Sequence, residues 1–228
     1  MGIITKIESQ KKRDDRVNIY IDEKFFMAIY KELVFTFNLK KGQEIDPNNL
    51  KSILDNEMYM KAKNKALSIL SKASQSEKQI RQKLAKDYEE DTIDRVIEFL
   101  QKYKFVDDED LASRIVNTNV NLNKYGKNKI KQNLYNKGID SEDISHAISN
   151  IDSNVEFENA MYLAKKRYER IKNEDKRKIY QKLSQHLAYK GFGYDTIKSV
   201  LNKIGRKYDV KITEEEILMF TKHLRGNK

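Results

Sequence analysis

No cysteine occurs among the 228 residues, so neither a disulfide nor a thiolate-ligated metal site can form. That fits a reducing compartment, and a cytoplasmic location is the expectation. Tryptophan is absent and Pro47 is the single proline. With breakers scarce and Lys, Glu, Leu and Ile abundant, the composition favours helix. The eight glycines fall near the chain start, at expected element ends or in loops. No run of about 18 apolar residues exists, which excludes a transmembrane helix. The opening Met1-Gly2-Ile3-Ile4-Thr5-Lys6 lacks the apolar core of a signal peptide.

Residues that carry chemistry are also sparse. His146, His186 and His223 lie far apart, one per expected helix, with no partner at metal-ligand spacing. Each reads as a packing or surface residue, His186 beside Leu187 among them. Asp107-Asp108-Glu109-Asp110 has oxygens that could take a hard cation. It lacks the glycine that a calcium loop needs at its turn, and acids ahead of a helix already complement the helix dipole. Gly191-Phe192-Gly193 follows no strand and lacks the Lys-Ser/Thr of a phosphate loop. No Ser-His-Asp or Cys-His arrangement can be picked out. The expectation is a non-enzyme with no cofactor and no metal. A nuclease, the enzymatic rival, would have to show magnesium-dependent cleavage.

What is plentiful is charge. The chain carries 45 Lys and Arg against 35 Asp and Glu, net +10. The distribution is uneven: Asp87 to Asp110 nets −7, Ala160 to Lys190 nets +7, and Asn123 to Ile139 holds five Lys and no acid. A chain polarised in this way suits an anionic partner, although solvated helix faces account for part of it. Lys127, Lys129, Lys131 and Lys137 share one expected helix. A second run holds Lys165, Lys166, Arg167, Arg170, Lys172, Lys176, Arg177 and Lys178, with Lys190 beyond it. Tyr125, Tyr135, Tyr162, Tyr168, Tyr180 and Tyr189 are interleaved with these bases. Cations for phosphates and rings for bases suit a nucleic-acid surface. Tyr168 and Tyr180 read better as core rings. No sequence-reading element such as a zinc finger is visible, so contacts to nucleic acid are expected to the backbone. The candidate binding residues are Lys127, Lys129, Lys131, Lys137, Lys165, Arg167, Arg170, Arg177 and Lys190.

Three stretches repeat one another. The first runs Ser76-Glu77-Lys78-Gln79-Ile80-Arg81-Gln82-Lys83-Leu84 to Ile93, Val96 and Ile97. The second runs Gly126 through Ile130, Leu134 and Lys137-Gly138-Ile139 to Ile144. The third runs Leu183, Leu187 and Lys190-Gly191-Phe192 to Ile197. Ile93, Ile144 and Ile197 are 51 and 53 residues apart. A helical period of this length signals stacked repeats, because one such unit buries too little surface to stand alone.

Helix signals place the pieces. Asp46-Pro47 reads as a cap with proline in the first turn. Ser76-Glu77-Lys78-Gln79, Ser153-Asn154-Val155-Glu156 and Thr213-Glu214-Glu215-Glu216 read as capping boxes. Helices are expected from Asp46 to before Ser74, from Ser76 to near Asp87, over about 91–103, after Asp110, and over about 127–137 and 141–150. Three more belong to the third copy. A last one carries Ile217, Leu218, Phe220 and Leu224. Leu111, Ile115 and Leu122 are expected on one inward face. Ahead of the repeats, residues 3–7 and 17–21 read as an antiparallel hairpin or two strands of a small sheet, with a turn candidate at Asp14-Asp15 and another at Asp22-Glu23. Phe25, Phe26, Ala28, Ile29 and Leu33 read as the apolar stripe of a covering helix, and Leu39 to Ile45 as a short strand into a turn. The expected domains are 1–45, 46–104, 105–151, 152–205 and a helical tail 206–228. The fold class is mainly α: three tandem three-helix repeats in an elongated curved stack behind a small strand-and-helix unit.

In ordered combination these motifs resemble the RecX family, regulatory proteins that act on the RecA recombinase. The resemblance rests on Ser76, Ile80-Arg81, Lys83-Leu84, Phe105-Val106-Asp107-Asp108, Leu111-Ala112, Gly126, Ile130, Leu134, Lys137-Gly138-Ile139, Leu187, Lys190-Gly191-Phe192, Asp195 and Ile197. It spans about 60–204, and residues 1–45 are similar to the N-terminal extension of the longer members. Two departures stand out: Asp87-Tyr88 replaces the Lys-Gly of the other copies, and a long tail follows Gly205. The resemblance implies a monomeric, non-enzymatic modulator of recombination and DNA repair. Such a protein would lodge in the groove of the RecA–DNA filament, touch DNA, and suppress ATP hydrolysis, strand exchange and filament growth. The alternative is a sequence-independent DNA-binding module that affects RecA only by competing for DNA.

Overall fold

The computed structural model describes residues 1–11 and 13–208, within which the chain forms four strands and ten helices. They fall into two compact units: Met1–Ala73 with Ile80–Phe105, and Ser74–Gln79 with the chain from Val106 onward. The tail helix expected beyond residue 212, and His223 with it, lie outside the described residues.

The first unit opens with β1 (Gly2–Gln10), β2 (Arg13–Ile21) and β3 (Lys24–Tyr30), joined later by β4 (Glu44–Ile45). They form an antiparallel sheet of order β3-β2-β1-β4. Val17, Ile19 and Ile21 alternate along β2 and are all buried, the pattern of a sheet with one face on a core. Two expectations are corrected here. Asp14 and Asp15 lie inside β2; the turn comes earlier, where Gln10 pairs with Arg13. The register suits Arg13, whose guanidinium reaches Asp15 at 3.4 Å and Asp87 at 2.5 Å. Residues 25–30 are a strand instead of a helix. Asp22 (φ 48°) and Glu23 (φ 66°) form a tight left-handed turn of the kind that returns a chain directly alongside the strand it left. The open edge of β2 takes up the hydrogen bonds of the segment that follows. The covering helix is the shorter α1 (Lys31–Thr36), which buries Leu33.

Three helices follow: α2 (Pro47–Lys72), α3 (Glu77–Leu84) and α4 (Glu90–Lys102). Asp46 caps α2, accepting from the Asn48 amide at 3.0 Å with Pro47 in the first turn. Leu50, Leu54, Met58, Ala62 and Ala66, four apart each time, are its buried residues. At the departure from the repeat pattern, Asp87 binds Lys65 and Arg13, and Tyr88 is buried. Ion pairs and a ring thus hold a turn that glycine makes in the other copies.

The second unit holds two more trios. One is α5 (Asp108–Asn121), α6 (Lys127–Lys137) and α7 (Ser141–Ser149); the other is α8 (Ser153–Ile171), α9 (Lys176–Tyr189) and α10 (Tyr194–Lys207). Each trio has its own apolar cluster. Ile80 and Leu84, Ile130 and Leu134, and Leu183 and Leu187 are all 0 % exposed, and Ile93, Ile144 and Ile197 no more than 3 %. Gly138 (φ 82°) and Gly191 (φ 89°) end α6 and α9 in the left-handed conformation. Leu122 is corrected: it is 77 % exposed past the end of α5, and Val116 and Val120 fill the inward face with Leu111. The α8 cap is also corrected. Asp152 accepts from the Asn154 amide at 2.7 Å, so Ser153 is already the first helical residue.

Candidate anion-binding surface of the second unit

The joint between the two trios places the cations. The Gly126 amide donates to the Lys190 carbonyl, and the Asn128 amide to the Gly191 carbonyl, each at 3.0 Å. The two segments approach so closely that a Cβ on Gly191 would lie 2.3 Å from the Lys129 nitrogen. A Cβ on Gly126 would lie 2.5 Å from the Gly191 carbonyl. Asn159 adds a buried hydrogen bond to the Val120 carbonyl at 2.9 Å. The start of α6 is therefore fixed beside the end of α9. Lys129 Nζ sits 5.9 Å from the Tyr189 ring centroid, and Lys190 Nζ 5.1 Å from that of Tyr125. Both distances are within cation–π range.

On the third trio, Leu163, Lys166, Arg167 and Arg170 recur at helical spacing along α8, and His186 and Lys190 are four apart on α9. These six line one cleft of about 220 Å³. Lys166, Arg167, Arg170 and Lys190 are four basic residues among the six, and the lining includes no carboxylate. Among the described residues, the Arg167 Nε is buried without a hydrogen-bond partner. His186 is held below its ordinary pKa, first by burial and then by the charges of Lys190, Arg167 and Arg170. A buried donor without an acceptor is costly, and like charges so gathered repel one another. An anion in the cleft would offset the repulsion.

The candidate residues thus part company. Arg167, Arg170 and Lys190 come together in the cleft. Lys129 stands beside it at the joint. Lys127 is committed internally: its amide donates to the buried Glu156 at 3.1 Å, and its Nζ lies 3.9 Å from the same carboxylate. Lys131 lines a different and larger groove of about 930 Å³, with Tyr135 and Tyr194. Lys137 ends α6, where its carbonyl accepts from the Ser76 hydroxyl at 2.6 Å. Lys165 is exposed on α8 outside the cleft lining. Arg177 is exposed at the start of α9, nine residues and about 14 Å of helix from His186. Tyr168 and Tyr180 are buried, and Tyr135, Tyr162 and Tyr189 are exposed. Burial pushes the Tyr180 hydroxyl up to about 12. Lys166 and His186 were not among the sequence candidates. Their helical spacing from Arg170 and Lys190 was the available signal.

The acids at the start of α5 serve backbone groups. Asp107 accepts from the Asp110 amide at 2.9 Å, and Asp108 from the Glu77 amide at 3.0 Å. Burial raises the Asp108 pKa. Among the described residues, no group of three or more His, Asp or Glu is placed to hold a metal ion, and no helix is long and apolar enough to cross a membrane.

Four family models match the chain. The Regulatory protein RecX N-terminal domain covers residues 2–46, and the first, second and third RecX three-helix domains cover 62–100, 107–148 and 154–201. The Regulatory protein RecX of Clostridioides difficile (strain 630) is 69 % identical over 204 residues, 90 % of this chain and 96 % of the relative. That of Clostridium tetani (strain Massachusetts / E88) is 43 % identical over 204 residues, 88 % of this chain and 94 % of the relative. A crystal structure of regulatory protein RecX matches with a TM-score of 0.62 at 32 % identity, covering 89 % of this chain and all of the other. RecX from Lactobacillus salivarius matches with a TM-score of 0.62 at 30 % identity, over 65 % of this chain and 97 % of the other.

Proposed function

Because the chain belongs to the RecX family of regulatory proteins, we propose that it regulates the RecA recombinase, mostly as an inhibitor. In this reading it is a monomer of the cytoplasm that binds in the groove of the RecA–DNA filament. There it suppresses ATP hydrolysis, strand exchange and filament growth, and so acts on recombination and repair. The observation that carries the reading is the 69 % identity to a RecX protein across nearly the whole of both chains. The cations of the second unit support it, since a filament on DNA offers a long run of negative charge.

The test is RecA ATPase on single-stranded DNA with a variant carrying Lys131→Glu, Lys165→Glu, Arg167→Glu and Arg170→Glu. Inhibition is expected to be lost while the helical circular-dichroism signal is kept. Inhibition equal to that of the unaltered chain would reject the assignment. The second reading, a sequence-independent DNA-binding module that merely competes with RecA for DNA, draws on the same cations. It predicts tight binding to bare DNA and inhibition only when the chain is present in proportion to the DNA. Substoichiometric inhibition with weak binding to bare DNA favours the first reading.

A further inference from the structure

We infer that the cleft between α8 and α9 is a socket for a single backbone phosphate of nucleic acid, with Arg167 as its anchor. The inference deepens the reading above by naming the atoms that meet DNA, and it rests on that reading only for which polymer supplies the phosphate.

Four observations carry it. The cleft, at about 220 Å³, has room for one phosphodiester group and not for a folded partner segment. Lys166, Arg167 and Arg170 line it from α8 and Lys190 from just past the end of α9, so its positive charge is drawn from two segments instead of one helix face. The Arg167 Nε is buried and has no acceptor among the described residues. Finally, Leu163 supplies an apolar wall, which lowers the local dielectric and strengthens any ion pair made there. A planar guanidinium matches two phosphate oxygens better than a point charge does. A protein carboxylate would meet the same cations. The phosphate is favoured because Lys190, which lines the socket, also lies over the Tyr125 ring, and Lys129 at the same joint lies over the exposed Tyr189. A polymer with phosphates at regular intervals and flat bases between them can use both, whereas an isolated acidic side chain uses one.

His186 reports occupancy. It shares the cleft lining with Lys166, Arg167, Arg170 and Lys190, and burial first, then the charges of Lys190, Arg167 and Arg170, holds its pKa below the ordinary value. A seated phosphate replaces that repulsion with attraction, so the imidazole gains a proton more readily. No covalent step is involved.

The experiment uses the full chain and three probes: a mixed-sequence single-stranded oligonucleotide, inorganic phosphate, and polyglutamate. His186 titration is followed by nuclear magnetic resonance, its signal assigned by loss in His186→Asn. Oligonucleotide affinity is measured by anisotropy across a salt series. The expected result is an upward move of the His186 midpoint with oligonucleotide, a smaller one with millimolar inorganic phosphate, and none with polyglutamate. Arg167→Gln should abolish the move, weaken oligonucleotide binding about tenfold at low salt, and reduce the salt slope by about 0.7, one phosphate's share on a single strand. If Arg167→Gln melts early, Arg170→Gln serves in its place. A His186 midpoint that ignores saturating oligonucleotide overturns the socket, and one that answers only to polyglutamate reassigns it to a protein carboxylate. None of these readouts involves RecA. A responsive His186 in a chain that leaves RecA ATPase untouched would sink the regulatory reading alone, and the reverse pattern would sink the socket alone.

Discussion

Gly191 serves two separate needs. Its φ of 89° ends α9 in a conformation that costs a side chain about 1 kcal/mol or more. Its missing Cβ also admits the Lys129 backbone, which would otherwise stand 2.3 Å away. Gly193, two residues on, has neither a positive φ nor a neighbour within 4 Å of a built Cβ. We therefore expect Gly191→Ala to destabilise the second unit by about 2–4 kcal/mol in urea unfolding. Gly193→Ala should cost at most about 1 kcal/mol, for a poorer helix cap. Equal effects would show that the close approach at Gly191 is slack. The helix-ending role was legible in Lys190-Gly191-Phe192, because a cap is a local requirement. The approach to Lys129 was not, since it depends on which chain lies opposite. The cleft divides in the same way. Lys166, Arg167 and Arg170 announce a common helical face by their spacing, and His186 and Lys190 another. That the two faces meet is a fact of packing, and for that reason His186 read as an ordinary packed histidine.

Among the elements, α3 shows what local signals can specify. Ser76 accepts from the Gln79 amide at 3.2 Å, and the Gln79 side chain accepts from the Ser76 amide at 3.3 Å, the reciprocal pair that the four-residue motif implies. The motif does not foretell that the same hydroxyl, wholly buried, also donates to the Lys137 carbonyl at the end of α6. Ser76→Ala removes a cap and leaves the partly buried Lys137 carbonyl without its donor. We expect a loss of about 2 kcal/mol in thermal unfolding. A loss under about 0.5 kcal/mol would mean that the hydroxyl caps nothing that water cannot. The strand β3 is the contrary case. Phe25, Phe26, Ala28, Ile29 and Leu33 fit a helical stripe, yet the segment pairs along β2 through Val17–Ile29 and Ile19–Met27. A short apolar run satisfies either period. The decision was made outside the run, by the left-handed Asp22-Glu23 turn and by an open strand edge needing partners. The cap of α8 slipped by one residue for a smaller reason: Asp152 and Ser153 are both good caps, and Glu156, read as the closing member of the box, is drawn away to the Lys127 amide.

For the molecule as a whole, the governing quantity is net charge, +10, with its positive share gathered in the later repeats. Charge of this kind acts by displacing counterions from a polyanion. Affinity for single-stranded DNA should fall along a straight line in log–log salt plots, losing at least about tenfold between 50 and 200 mM salt. An affinity indifferent to salt over that range would argue against backbone contact. Family and fold class were legible at this scale because three loose motifs in fixed order are far more specific than any one of them. The placing of individual cations was not, and Lys127 shows why. From sequence it is one lysine in a basic run; in the fold it answers a buried glutamate twenty-nine residues away. The seam between the second and third trios has one more consequence. Its central bonds join main chain to main chain, from Gly126 to Lys190 and from Asn128 to Gly191, and amides are the same whatever side chain they carry. Exposed side chains along it can be exchanged without touching those bonds, provided the two glycines and the buried Glu156 and Asn159 stay. Partner preference in such a chain is free to drift while the interval between Lys129 and Lys190 is kept, like a gauge cut in the backbone itself.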